Sequence, residues 1–137
     1  MKYVRCFLAV FLCLCLCGCG STKADTAVDV DLTQLSSTMV YAEVSNMLSA
    51  PEAYVGKVVK MQGAFSVYVG QTQVYFACVI ADATACCSQG IEFVLAGDHD
   101  YPDDYPQLGS NITVTGTFQT YEEDGYQYIT LTDATMN

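Results

Sequence analysis

Cys78, Cys86 and Cys87 are the residues of this chain whose type and spacing could do chemistry. Cys78 lies on an alternating apolar stretch and Cys86-Cys87 stands just before the next one. A strand and the loop after it could therefore bring the three sulfurs together. Thiolates bind soft ions such as Zn²⁺ or Cu⁺. Asp82, or His99, the sole histidine, could supply a fourth ligand. Seven residues between the first cysteine and the pair is not a usual zinc spacing. Three readings stay open: a disulfide, from Cys78 to Cys86 or Cys87 or within the vicinal pair; inert thiols, since cysteine is among the most buried residue types; or a metal or redox site.

The acidic segment Asp98-His99-Asp100-Tyr101-Pro102-Asp103-Asp104 carries four carboxylates. Oxygen-rich loops hold Ca²⁺, but this one lacks the glycine and the spaced ligands of an EF-hand, so a solvated loop is expected. Ten tyrosines without a tryptophan suggest a binding face. Tyr68, Tyr75, Tyr121, Tyr126 and Tyr128 fall on or near strands, where β-propensity alone also favours them. Aromatic rings on a sheet stack on bases or sugars. With Lys57 and Lys60 the only cations after residue 37, a phosphate backbone would find too few contacts. That leaves a glycan or a peptide. One histidine, no phosphate-binding glycine loop and no metalloprotease motif argue for a binding protein without catalytic activity.

The elements that must position these residues are mostly strands. Residues 38–49 read as the one helix, with Val40, Val44, Met47 and Leu48 at helical spacing, Met39 and Tyr41 widening the apolar face, and Pro51 ending it. From there the period is two. Residues 58–69 put Val59, Met61, Phe65, Val67 and Val69 on one face with Gly63, and Lys60, Gln62, Ser66 and Tyr68 on the other. Residues 73–82 oppose Phe76, Cys78 and Ile80 to Tyr75, Ala77 and Val79. Residues 91–96 form a third strand. Residues 111–121 set Ile112, Val114, Gly116 and Phe118 against threonines, and 126–133 form the fifth. Gly70-Gln71 and Asp124-Gly125 are hairpin turns, the second with the type I′ signature. Mid-strand glycines at 63 and 116 suit a strongly coiled sheet. The expected fold is mainly β: a small five-stranded barrel with one N-terminal helix.

The N-terminus carries a different signal. Lys2 and Arg5 precede an apolar run, Phe7 to Cys17, followed by small residues. The run is shorter than the ~20 residues of a membrane-spanning helix. Leu16-Cys17-Gly18-Cys19 resembles the lipobox of bacterial lipoproteins. The resemblance implies that residues 1–18 are a signal peptide, that Cys19 carries a diacylglyceryl group, and that the mature protein sits on the extracytoplasmic face of the bacterial cell membrane. Residues 19–37 then form the lipidated cysteine and a small, polar, flexible tether, and 38–137 the folded domain. Two or more acyl chains hold a protein stably, at roughly 0.8 kcal/mol per buried methylene. The whole chain has 137 residues and a net charge of −10; losing Lys2 and Arg5 leaves three basic residues against 15 acidic ones. Such an acidic protein repels anionic headgroups and polymers. Five of the eight cysteines belong to the signal and anchor, which leaves an odd three in a compartment where disulfides form.

Two further resemblances concern the domain. Tyr54-Val55-Gly56-Lys57-Val58-Val59 leading to Gly63, and Gly109-Ser110-Asn111-Ile112-Thr113-Val114-Thr115-Gly116, are similar to the opening and the fourth strand of OB-fold domains in bacterial envelope proteins. The likeness covers roughly 51–134. It implies a five-stranded barrel, whose end the helix at 38–49 would plug because 97–109 leaves little room for another. It does not by itself imply a ligand. Cys86-Cys87 ahead of a strand resembles the C-terminal domain of a two-gene membrane permease family, which implies an accessory subunit of a membrane transporter. The expected role is a non-catalytic binding module for a protein or envelope-polymer partner. The alternatives are metal or redox chemistry at Cys78, Cys86 and Cys87, or the transporter role.

Overall fold

A computed structural model of the chain describes residues 27–70, 73–84 and 86–137. The expected signal peptide, Cys19 and the first part of the expected tether lie outside them. The described part is one mixed β-sheet with one α-helix. Strands β1 (Val30–Asp31), β2 (Val58–Val69), β3 (Val74–Ala81), β4 (Ser88–Leu95), β5 (Asn111–Glu123) and β6 (Tyr126–Met136) surround helix α1 (Ser37–Ser49) in sequence. Their order in the sheet is β1-β2-β3-β4-β6-β5, and β2 pairs with β5 as well. Only β1–β2 and β4–β6 are parallel.

The long strand β2 serves two partners because it is bent. Its first half, Val58 to Ala64, pairs with β5, and its second half, Ala64 to Val69, with β3. Gly63 lies at the handover. A Cβ there would run into the Val79 carbonyl oxygen and the Cys78 sulfur, so only glycine lets β3 approach this closely. In β5, Gly116 meets β6 where the register shifts between Thr115 and Thr117, and β6 absorbs an extra residue near Asp133, which has a φ of 49°. The turn at Asp124-Gly125 has positive φ at both residues, 52° and 81°, as a type I′ hairpin requires. Of the first hairpin turn, Gly70 N–H donates to the Gln73 carbonyl at 2.9 Å, and Gln71 lies outside the described residues.

Period-two alternation decides what is inside. Val59, Met61, Phe65, Cys78, Ile91, Phe93, Val114, Phe118 and Leu131 are almost wholly buried in one core. Helix α1 adds Val44 and Met47 at zero exposure and packs on β3 and β4. The helical face is narrower than its composition suggests. Val40 and Tyr41 pack against the core, whereas Met39 and Leu48 remain 56% and 44% exposed. Residues four and seven on from Val40 share its face, and positions 39 and 48 fall at its margins. Tyr54-Val55-Gly56-Lys57 is a latch. Tyr54 packs on the Phe118 ring and donates its hydroxyl to Glu43 at 2.7 Å. Gly56, with a φ of 83°, gives its N–H to the Phe118 carbonyl at 2.9 Å.

Two boundaries differ from the sequence reading. The tether expected over 19–37 gives way to structure before residue 38. Val30 and Asp31 pair with Val59 and Lys60, and Leu32, 1% exposed, is part of the core. Asp31 accepts a hydrogen bond from Thr33 N at 3.0 Å and caps the 3₁₀ turn Leu32–Gln34. Val30 and Leu35 pack against the same core, but the alternation of Val28, Val30 and Leu32 is too short to stand out from its small, polar surroundings. Strand β4 begins at Ser88 rather than at 91. Ser88, Gln89 and Gly90 have weak β-propensity, but they pair with Ala81, Ile80 and Val79, and the ladder overrides local preference.

Candidate functional site

The outward face of β3, β4, β5 and β6 carries a cleft of about 750 Å³. It is lined by Tyr68, Tyr75, Tyr121 and Tyr128, four of the five tyrosines expected to form a binding face. The register explains why they meet. Tyr68 on β2 stands opposite Tyr75 on β3, and Tyr121 on β5 stands opposite Tyr128 on β6. The last two rings stack with centroids 5.4 Å apart and planes 23° apart. Tyr126 is also opposite a cleft residue, Glu123, but it is 70% exposed at the hairpin tip and does not line the cleft. Leu48 and Pro51 bound the cleft where α1 ends.

Two carboxylates belong to the site that the sequence reading passed over. Glu92 lies mid-strand on β4, and Glu123 ends β5. Tyr121 donates its hydroxyl to Glu92 Oε2 at 2.7 Å, and Tyr75 donates to Glu123, with 2.7 and 2.6 Å to its two oxygens. Burial raises the Glu92 pKa above the usual carboxylate range, the nearby Glu123 charge adds to this, and the Tyr121 bond opposes it. The Tyr75 pKa is raised chiefly by its bond to Glu123, and that of Tyr121 by burial and then by its bond to Glu92. The sequence alone suggests acids mostly in loops and turns, where raised pKa values are not expected, and Glu92 on its strand departs from that rule. The signal that could have found it is a lone charge between Ile91 and Phe93, two fully inward residues. The cleft floor is kept low by Ala77 and Gly90; a Cβ on Gly90 would come within 3.1 Å of Val79.

The three sulfurs do not converge. Cys78 has zero exposure on the inward face of β3, and burial pushes its thiol up to about 12. Cys86 and Cys87 are exposed in the β3–β4 loop. Strand alternation separates them: Cys78 points into the core, and the chain leaves the sheet before it reaches the pair. The structure does not bring Cys78 to Cys86 or Cys87, as the expected disulfide or a metal set including Cys78 would require, and all three are free in it. Asp82 takes the place of Cys78. Its ligand atom and those of Cys86 and Cys87 lie within 4.8 Å of one another. The two sulfurs are 3.3 Å apart, and Cys86 Sγ is 3.2 Å from Asp82 Oδ2. Asp82 also accepts from Thr84 N and Cys86 N, at 3.1 and 3.0 Å. The bonds from Cys86 and Thr84 hold its pKa below the usual range.

His99 is held elsewhere, 3.0 Å from the Ala96 carbonyl oxygen and 3.9 Å from Asp104. It is not part of the group around Cys86 and Cys87. Among the described residues, no three carboxylates of the 98–104 loop gather as metal ligands. This loop is anchored instead by Tyr105, whose ring stacks on Phe76 at 4.1 Å. No described helix is long and apolar enough to cross a membrane. No known protein family matches this chain, and no curated protein or solved structure does either.

Proposed function

We propose that the chain is a lipid-anchored protein of the extracytoplasmic face of a bacterial membrane, held by Cys19, whose domain is an OB-like barrel acting as a non-catalytic binding module. A protein or envelope-polymer partner would sit in the tyrosine-lined cleft. The observation that carries this reading is the gathering of Tyr68, Tyr75, Tyr121 and Tyr128 around one cleft of ligand-binding size. The barrel reading is supported by the ring of pairings, in which β5 returns to β2. The location is supported by the lipobox resemblance at Leu16–Cys19. Two tests separate the parts. A photo-reactive residue at position 128 of the membrane-anchored protein should capture a partner in cells, while one at exposed position 108 should not. Equal capture at both sites, or none at 128, would end the cleft reading. Cys19→Ala should release the protein from membranes, and retention after a carbonate wash would end the anchor reading.

A second reading has its own observation. Asp82, Cys86 and Cys87 offer one carboxylate oxygen and two sulfurs to a soft cation such as Zn²⁺ or Cu⁺. Serine at 86 and 87 would abolish metal binding and leave the cleft intact. Stoichiometric metal in protein purified without chelator supports this reading, and full thiol reactivity in the presence of excess Zn²⁺ speaks against it.

A further inference from the structure

We propose that the cleft selects a small organic cation, an alkylated ammonium group, held among the tyrosine rings and balanced by Glu92 and Glu123. This rests on the cleft being the binding site and names the chemistry it accepts. The argument begins with which donors are already in use. The hydroxyl protons of Tyr75 and Tyr121 go to Glu123 and Glu92. They are therefore not offered to a ligand. Among the described residues no lysine, arginine or histidine lines the cleft, while Asp124 adds a third carboxylate to its rim. An anion finds no positive charge here and meets three negative ones. A sugar gains stacking but few donors to its hydroxyl oxygens.

For a cation every one of these features has the favourable sign. Tyrosine faces attract positive charge through the ring quadrupole. A phenol that donates to a carboxylate becomes more electron-rich, so the bonds to Glu92 and Glu123 strengthen that attraction. Glu92 is half-buried and its charge is under-solvated, as its raised pKa reflects. A cation in the cleft supplies the compensation that water supplies less well there. An alkylated ammonium needs no hydrogen-bond acceptor of its own, which suits carboxylates whose oxygens already accept from tyrosines.

The test is a calorimetric or NMR titration of the purified protein at constant ionic strength with choline chloride, its neutral isostere 3,3-dimethylbutan-1-ol, and a neutral disaccharide. Choline should bind about tenfold tighter than the isostere, the ratio expected of cation–π contacts with a partly desolvated charge. Tyr128→Ala should weaken choline about tenfold and Glu92→Gln should erase most of the preference over the isostere. Glu122→Gln, an exposed carboxylate that does not line the cleft, should change neither. Glycerophosphocholine separates the sources: affinity equal to choline's admits a lipid or polymer headgroup, and weaker affinity points to a free amine. Equal binding of choline and its isostere, or binding of the disaccharide alone, would overturn the cation inference while leaving the cleft as a binding site. No response to choline would also overturn it, and cross-linking at position 128 would then decide the cleft by itself.

Discussion

Tyr121 on β5 reaches over β6 to give its hydroxyl proton to Glu92 on β4, at 2.7 Å. Thr130 is the β6 residue in register with Glu92. The bond ties together two strands that do not pair with each other, and it holds a half-buried carboxylate in place. Burial raises the Glu92 pKa. The folded protein therefore holds this proton more tightly than the unfolded chain does. Stability falls as pH rises from the unfolded value, about 4.5 for this group, through the raised folded value, and the loss persists above it. Glu92→Gln keeps an oxygen to accept from Tyr121 and removes the charge. Urea unfolding at pH 7 should show the variant more stable than the parent, with the gap narrowing as pH falls. A less stable variant at pH 7 would mean that the ionised carboxylate is compensated in the folded state.

The cysteines should divide into two classes. In the reduced, folded protein at pH 8, Cys86 and Cys87 should react with a thiol reagent within minutes, because both are exposed. Cys78, with no exposure and a thiol pushed up to about 12, should react only when the domain unfolds. A titration should count two thiols before denaturant and three after. Three thiols of equal rate would contradict the buried position of Cys78.

The alternation of Val59, Met61, Phe65, Ile112, Val114 and Phe118 was readable in the sequence because a half-buried strand writes its two faces at period two. The outward Tyr68 and Tyr75 were readable for the same reason. What joined them to Tyr121 and Tyr128 was register across strands distant in sequence, which no local pattern encodes. Glu92 was missed because a single acid in a strand looks like any solvent-facing residue until its neighbours cover it. The three cysteines differ in the opposite way. Closeness in sequence suggested closeness in space, but the alternation that turns Cys78 inward also turns it away from the loop. Leu32 was overlooked because the alternation of Val28, Val30 and Leu32 with Asp29 and Asp31 is too short to stand out from its small, polar surroundings.

Gly63 should not tolerate a side chain. Its φ is unremarkable, so the obstacle is space: an added Cβ would collide with the Val79 carbonyl oxygen. Gly63→Ala should destabilise the domain by about 1–3 kcal/mol through overpacking. Gly56→Ala is the contrast. Its Cβ would meet nothing within 4 Å, but its φ of 83° is costly for alanine, roughly 1–2 kcal/mol. Denaturant unfolding would measure both. In a Val79→Ala background the collision at Gly63 remains, because it is with the backbone. Relief by Val79→Ala would show that the side chain was the obstacle.

Thr130 is 5% exposed, and its hydroxyl oxygen has no hydrogen-bond partner among the described residues. It is in register with Glu92 on one side and Gln119 on the other. A buried hydroxyl left unpaired costs about 1–3 kcal/mol relative to its solvated state. Valine has nearly the same shape, suits a strand at least as well, and carries no polar atom to desolvate. Thr130→Val should therefore raise stability by about 1 kcal/mol, read as a higher denaturant midpoint at unchanged slope. It should leave the Tyr121–Glu92 bond in place, because Thr130 is not part of it. A lower midpoint would mean that the hydroxyl finds a partner in solution, a buried water molecule being the simplest.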